Sequence, residues 1–554
     1  MQNTQQSDFC KETRKRSFKP DIWSIGSVII ALFVVVPIFA VVWIAFNPVE
    51  NIWPHLMATT LPRYFFNSAL MMISVGVLAT VIGVSTAWLV VMYDFPGKIW
   101  LQWVLLFPLS IPAYVGAYAL VDFLEYAGGV QTTLREVFGW ADARDYWFPE
   151  IRSRGAAILV IALSLYPYVY LLTRAAFREQ SGSTYDVARA LGAGPFERFW
   201  RVGLPLVRPG IAAGMAIVMM ETVSDFGTVE YFAVQTLTTG IFTVWLEANN
   251  AGGAAQISGI VLLMVLLLVG LEKTSRRKQR FHEGARHKQP LVPISLSGIR
   301  GWLAALFCLV PVLAGFVLPV SVMMSHALTN TEYWSNPHLF SALINTVSVG
   351  SAAAVLTVTA AVFLVYGVRL TNKRIPRLMM PLTTIGYAAP GAVLAVGILI
   401  PMAAIDHMLA DFVELLTGID IGLVMTGSSF AIIFAYSVRF FTLAQGATDS
   451  AMGRISPSLP MAARSLGRTA GGTLREVYAP LIRGSLLTAL LLVFVDCVKE
   501  LPATLLLRPF NFNTLSTLVY EQASLENIGE SSPAALMVIS VGMIAVMFLA
   551  KSNK

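Results

Sequence analysis

Asp186-Val187-Ala188-Arg189-Ala190-Leu191-Gly192, closed by Val202-Gly203-Leu204-Pro205, is matched 275 residues later by Met461-Ala462-Ala463-Arg464-Ser465-Leu466-Gly467, closed by Val477-Tyr478-Ala479-Pro480. Ala188/Ala463, Arg189/Arg464, Leu191/Leu466, Gly192/Gly467, Val202/Val477, Pro205/Pro480 and Arg208/Arg483 coincide without a gap. The offset is about half of the 554 residues, as expected of one module duplicated and fused.

The module is a membrane module. The chain is 56% hydrophobic and only 13% charged, against roughly 25% charged in soluble domains. Apolar runs long enough to cross a bilayer recur throughout. Six fall in the first half, at 22–46, 67–92, 99–121, 155–173, 208–224 and 255–271. Six more fall at 301–325, 342–368, 378–404, 422–442, 484–498 and 533–550. The expectation is an all-α, polytopic membrane protein of about 12 transmembrane helices in two parallel six-helix repeats. It divides into a basic N-terminus (1–21), a first repeat (22–271), a basic linker (272–300) and a second repeat (301–554). The first run is too long for a signal-peptide core and reads as a retained span. Cys10, Cys308 and Cys497 have neither disulfide nor zinc spacing.

The net charge of +7 is distributed as in a membrane protein, not a nucleic-acid binder. Lysines and arginines gather before the first span, in the linker, after the eighth span and in both repeated segments. The segments 225–254 and 405–421, expected to be intervening loops, contain none, and the latter carries Asp406, Asp411, Glu414 and Asp420. Twelve crossings with both termini, the linker and both repeats in the cytoplasm fit that asymmetry. The aromatic segment 122–154 is expected to form a small cap on the opposite side.

Residues 184–191 and 459–466 suit a short helix, broken at Gly192 and Gly467 where a left-handed backbone is easily adopted. A second amphipathic stretch follows in the first copy, with Phe196, Phe199 and Val202 on one side. Pro205 and Pro480 are expected to end that stretch and redirect the chain. A helix–glycine–helix knob of this kind is shaped to sit in a groove of a soluble partner.

Each knob resembles the Glu-Ala-Ala-x3-Gly-x9-Ile-x-Leu-Pro signature of permease subunits of binding-protein-dependent ABC importers. The resemblance implies that Asp186, Ala188, Arg189, Leu191 and Gly192, with Ala462, Ala463, Arg464, Leu466 and Gly467, dock on two copies of a cytoplasmic ABC ATPase. The leading acid is Asp186 in one copy but Met461 in the other, so the two docking sites are expected to be unequal. The chain is not expected to be an enzyme or to bind a cofactor. It has no G-x-x-x-x-G-K-[ST] segment, so ATP and Mg belong to the partner. A bacterial inner membrane, a periplasmic substrate-binding protein and membrane lipid complete the implied setting.

Glu221-Thr-Val-Ser-Asp-Phe-Gly-Thr-Val-Glu-Tyr-Phe232, Leu237–Trp245 and Lys499–Phe510 further resemble the fused ferric-iron permeases of this superfamily. The resemblance alone supplies the word iron. Independently, the 275-residue offset superposes Glu221 on Asp496 and Asp225 on Glu500. Each pair is spaced i, i+4, on one face of a fifth-span helix. Carboxylates there are costly and mark a pathway. Four together would line it with hard oxygen ligands, with transient Fe3+ contacts at Asp225 and Glu500 and Glu230 at the outer mouth. Thiamine, polyamine or an oxyanion remain alternative cargoes. A stand-alone secondary transporter is the alternative from another class.

Overall fold

A computed structural model describes residues 22–277, 291–371, 374–384, 386 and 389–552. The basic N-terminal tail and residues 278–290 of the linker, His282 and His287 included, lie outside the described residues. Among the described residues ten helices are long and apolar enough to cross a membrane, and two sharply bent helix pairs raise the number to as many as twelve. Helices dominate because hydrocarbon offers no partner for a free N–H or C=O.

In the first half the principal helices are α1 (Ile22–Phe46), α2 (Leu61–Met92), α3 (Ala113–Leu124), α4 (Arg154–Arg178), α5 (Gly182–Ala190), α6 (Leu204–Ser224), α7 (Gly227–Tyr231) and α8 (Ala251–Arg277). The second half has α9 (Ile299–Val312), α10 (Leu318–Thr329), α11 (Pro337–Thr371), α12 (Gly391–Thr417), α13 (Phe430–Arg439), α14 (Phe441–Gly453), α15 (Ser458–Ser465), α16 (Ala479–Lys499), α17 (Pro502–Leu507) and α18 (Ile528–Ser552). The duplication reaches individual hydrogen bonds. Ser68 Oγ accepts the Leu237 N–H at 2.8 Å, and Thr346 Oγ1 accepts the Leu515 N–H at 2.8 Å. Asn67 donates to the Gln235 carbonyl as Asn345 does to that of Asn513. Thr236/Thr239 and Thr514/Thr517 form the same reciprocal capping box at a helix start.

The two halves embrace. α1 packs on α11 and α12 of the opposite half: Trp23 stacks on Phe363 at 4.7 Å, and Gly397 lies against the Pro37 carbonyl with no room for a Cβ. α9 and α10 reciprocate against the first half, where His326 Nε2 meets Asp122 Oδ2 at 2.9 Å. A two-residue parallel pairing, β1 (Tyr93–Asp94) with β2 (Ile294–Ser295), ties the end of the linker to the first half.

Three local expectations are corrected. Pro205 and Pro480 do not end a segment: residues 195–224 and 470–499 are single long helices. A wide π-type turn at Arg198–Gly203 and at Leu474–Tyr478 precedes each proline. That turn absorbs the missing N–H and the bulk of the ring. Residues 405–421 are not all loop, because α12 runs on to Thr417 and carries Asp406, Asp411 and Glu414. The third crossing of the first half is broken, the helices on either side of Ser110–Ala113 meeting at 93°.

Candidate functional site

Both knobs form where their sequences are repeated. Gly192 and Gly467 have φ of +86° and +84°, a region that costs a side-chain-bearing residue about 1–2 kcal/mol. At each the next N–H reaches back to the helix, Ala193 to the Ala188 carbonyl and Arg468 to that of Ala463, both at 3.0–3.1 Å. Asp186, Arg189, Arg464 and Met461 are exposed, and Ala188 and Ala463 half-buried. Leu191 and Leu466 are each 83% exposed, an apolar tip that nothing among the described residues covers. Each knob stands on an aromatic post that sequence reasoning did not single out. Trp88 packs on Tyr185 and Phe199, and Tyr366 donates to the Ala470 carbonyl at 2.6 Å. These posts occupy matching places near the ends of α2 and α11.

The two knobs share one end of the molecule. Knob one lies beside β2 and the linker, its Tyr185 and Asp186 sharing a cavity wall with Leu291 and Ile294. Knob two lies beside Tyr366, which packs on Trp23 at the start of α1. α1 ends where α8 begins, Pro48 against Gly252. α8 then crosses back, so the start of α1 and the linker lie at the same end.

Between the halves is a cavity of about 160 Å³. The first half contributes Ser164 and Tyr168 from α4, Glu221 and Ser224 from α6, and Asp225. The second half contributes Arg439, Asp496, Lys499 and Glu500. The four carboxylates thus come together, but not quite as spacing implied. Asp225 and Glu500 stand one residue beyond the ends of α6 and α16, where the backbone turns extended before α7 and α17. There they are acceptors. Asp225 takes the N–H groups of Thr228 and Val229 at 3.1 Å and the Thr228 hydroxyl at 2.9 Å. Glu500 takes the Ala503 N–H at 3.0 Å and meets Arg439 Nη1 at 3.1 Å. With Arg439 12% and Glu500 4% exposed, removing either partner would strand a buried charge at a cost of about 3–5 kcal/mol. Glu230 is exposed on α7 and does not line this cavity.

Lys499 was expected as a possible partner of Asp496, whereas Arg439 was missed. Arg439 faces the cavity from the end of α13, and the signal for it was the same offset, which sets it opposite Ser164. Lys499, three residues after Asp496, donates to the Leu109 carbonyl of the first half at 2.8 Å. Among the described residues no group of three or more His, Cys, Asp or Glu is placed to hold a metal ion.

Residues 79–280 match the family described as the binding-protein-dependent transport system inner membrane component. The chain is 30% identical over 206 residues to a molybdenum transport system permease protein of Escherichia coli, spanning 35% of this chain and 86% of that one. It belongs to this permease family. Over nearly its whole length it is also 26% identical to an Fe(3+)-transport system permease protein of Haemophilus influenzae, across 494 residues, 88% of this chain and 89% of the relative. A ferric transport system permease protein of Actinobacillus pleuropneumoniae aligns over 549 residues at 22% identity, 94% of this chain and 76% of its own. The permease is therefore a translocation component of an ABC-type importer in an inner membrane, in a family that works with a substrate-binding protein and an ATPase. The matched region takes in the first knob, Glu221 and Asp225.

Proposed function

We propose that this permease forms the path for ferric iron. A periplasmic binding protein delivers the cargo to the face opposite the knobs, and two copies of a cytoplasmic ATPase drive passage by engaging α5 and α15. The end bearing the knobs, the linker and the start of α1 is the basic end, and so the cytoplasmic one. The observation that carries the cargo is the convergence of Glu221, Asp225, Asp496 and Glu500 on one cavity between the halves. Hard oxygen ligands suit a hard cation. The full-length similarity to ferric permeases points the same way.

A second reading, an oxyanion, draws on Arg439 and Lys499 in the same cavity and on the partial similarity to molybdenum and sulfate permeases. The lining has four carboxylates against two cations, which disfavours an anion. The deciding experiment is uptake of radiolabelled Fe3+, molybdate and sulfate by a deletion strain carrying wild-type protein or Glu221→Gln with Asp225→Asn. The expected result is Fe3+ uptake in the wild type, lowered at least about tenfold, or ~1.4 kcal/mol, in the double variant. Undiminished Fe3+ uptake by that variant would remove the carboxylates from the path, and molybdate or sulfate uptake in place of iron would establish the second reading.

A further inference from the structure

Around the cavity the halves differ at three positions in a correlated way. At the 275-residue offset Arg439 and Glu500 stand where the first half has Ser164 and Asp225, and Gly391, packed against that pair, follows Pro390 as Ala113 follows Pro112, an offset of 278. Gly391 and Ala113 each open a helix behind a proline, Pro390 and Pro112. A Cβ on Gly391 would overlap both the Glu500 carboxylate and the Arg439 guanidinium. The glycine is therefore fitted to the ion pair. Ala113 keeps its Cβ where Ser164 allows no such pair.

The pair also has a particular place in the chain. Arg439 ends α13, and α14 continues at 49° to it beyond Phe440, whereas the corresponding α4 is one unbroken helix. α14 leads into the second knob, α15, and the chain returns through α16 to Glu500. The 3.1 Å contact thus fastens together the two ends of a hairpin whose far tip is a docking knob.

We propose that Arg439–Glu500 is a clasp that reports occupancy of the cavity to the second knob, with Arg439 its positioning residue. A cation held by the cavity carboxylates competes with the guanidinium for Glu500. The bend at Phe440 is then released and α14 moves the knob against the ATPase. The first half, without a clasp and with its knob carried by the unbroken α4, follows rather than senses. The proposal rests on the importer reading above, but its test does not depend on the cargo being iron.

The test uses the complete transporter in proteoliposomes, with ATP hydrolysis measured in the presence of the binding protein empty or loaded with its own cargo, alongside Fe3+ uptake. In Arg439→Gln and in Glu500→Gln, stimulation by the loaded binding protein should fall to within about twofold of none, and transport with it. Gly391→Ala, which keeps both charges and crowds the pair, should lose part of the stimulation. A merely structural role would lower the amount of assembled complex and leave the stimulation ratio unchanged. Wild-type stimulation in Arg439→Gln overturns the clasp. Should Arg439→Gln fail to assemble, Gly391→Ala decides, since it disturbs the pair and keeps both charges; wild-type stimulation there also overturns it. A wild-type complex that hydrolyses ATP on demand but moves no Fe3+ removes the iron reading alone.

Discussion

Among single residues, Asp406 shows how an acid in an apolar span can be wholly structural. It lies in α12, is 1% exposed, and its carboxylate takes the N–H groups of Met425 and Thr426 and the Thr426 hydroxyl at 2.7–3.1 Å. It pins the loop that follows α12 against the helix. Asp225 makes a similar set of bonds but also faces the cavity. Composition cannot separate the two, because the distinction lies in which backbone groups fold back onto the carboxylate. What could be read was the recurrence: Asp225 has an acidic counterpart at the repeat offset, and Asp406 at the same offset falls on Gln131. Asp406→Ala should lower stability by about 1–3 kcal/mol through the stranded N–H groups, seen as a lower Tm of the detergent-extracted protein. Transport per folded molecule should persist, and a transport defect at unchanged Tm would make Asp406 part of the path instead.

At the level of elements, the knobs were legible because their geometry is local. A helix that stops at a left-handed glycine needs only the residues on either side, and both copies stop as their sequences imply. The helix passing through Pro205 and Pro480 was not legible. Proline ordinarily breaks the ladder, and only the π-type turn before it, whose width no side chain announces, lets the span continue. The double change Gly192→Pro with Gly467→Pro tests the knobs as elements. Proline holds φ near −65° and has no N–H, whereas Gly192 and Gly467 sit at positive φ and donate to Arg189 and Arg464. Membrane insertion should be intact, while the ATPase no longer co-purifies and uptake is lost. Uptake at the wild-type level would dissociate α5 and α15 from docking.

For the whole molecule, the offset disclosed two equivalent halves but not their mutual grip. In a bilayer, a side chain facing lipid and one facing another helix are equally apolar, so hydropathy is silent on which helices touch. The exchange of α1 and α9–α10 between halves is visible only in packing, where small residues let backbones meet: Gly367 against Trp23, Gly397 against Pro37 and Gly315 against Leu163. Close contacts of this kind, rather than apolarity, hold helices together in lipid. If so, the covalent linker is dispensable once the molecule is folded. A protease site inserted between residues 283 and 284, cut after extraction into detergent, should yield two fragments that still elute together and retain the ATPase, because each half is clasped by the other's first span. Separation of the fragments on cleavage would mean that the linker, with its short β1–β2 pairing, holds the halves in register and that the crossed helices contribute little.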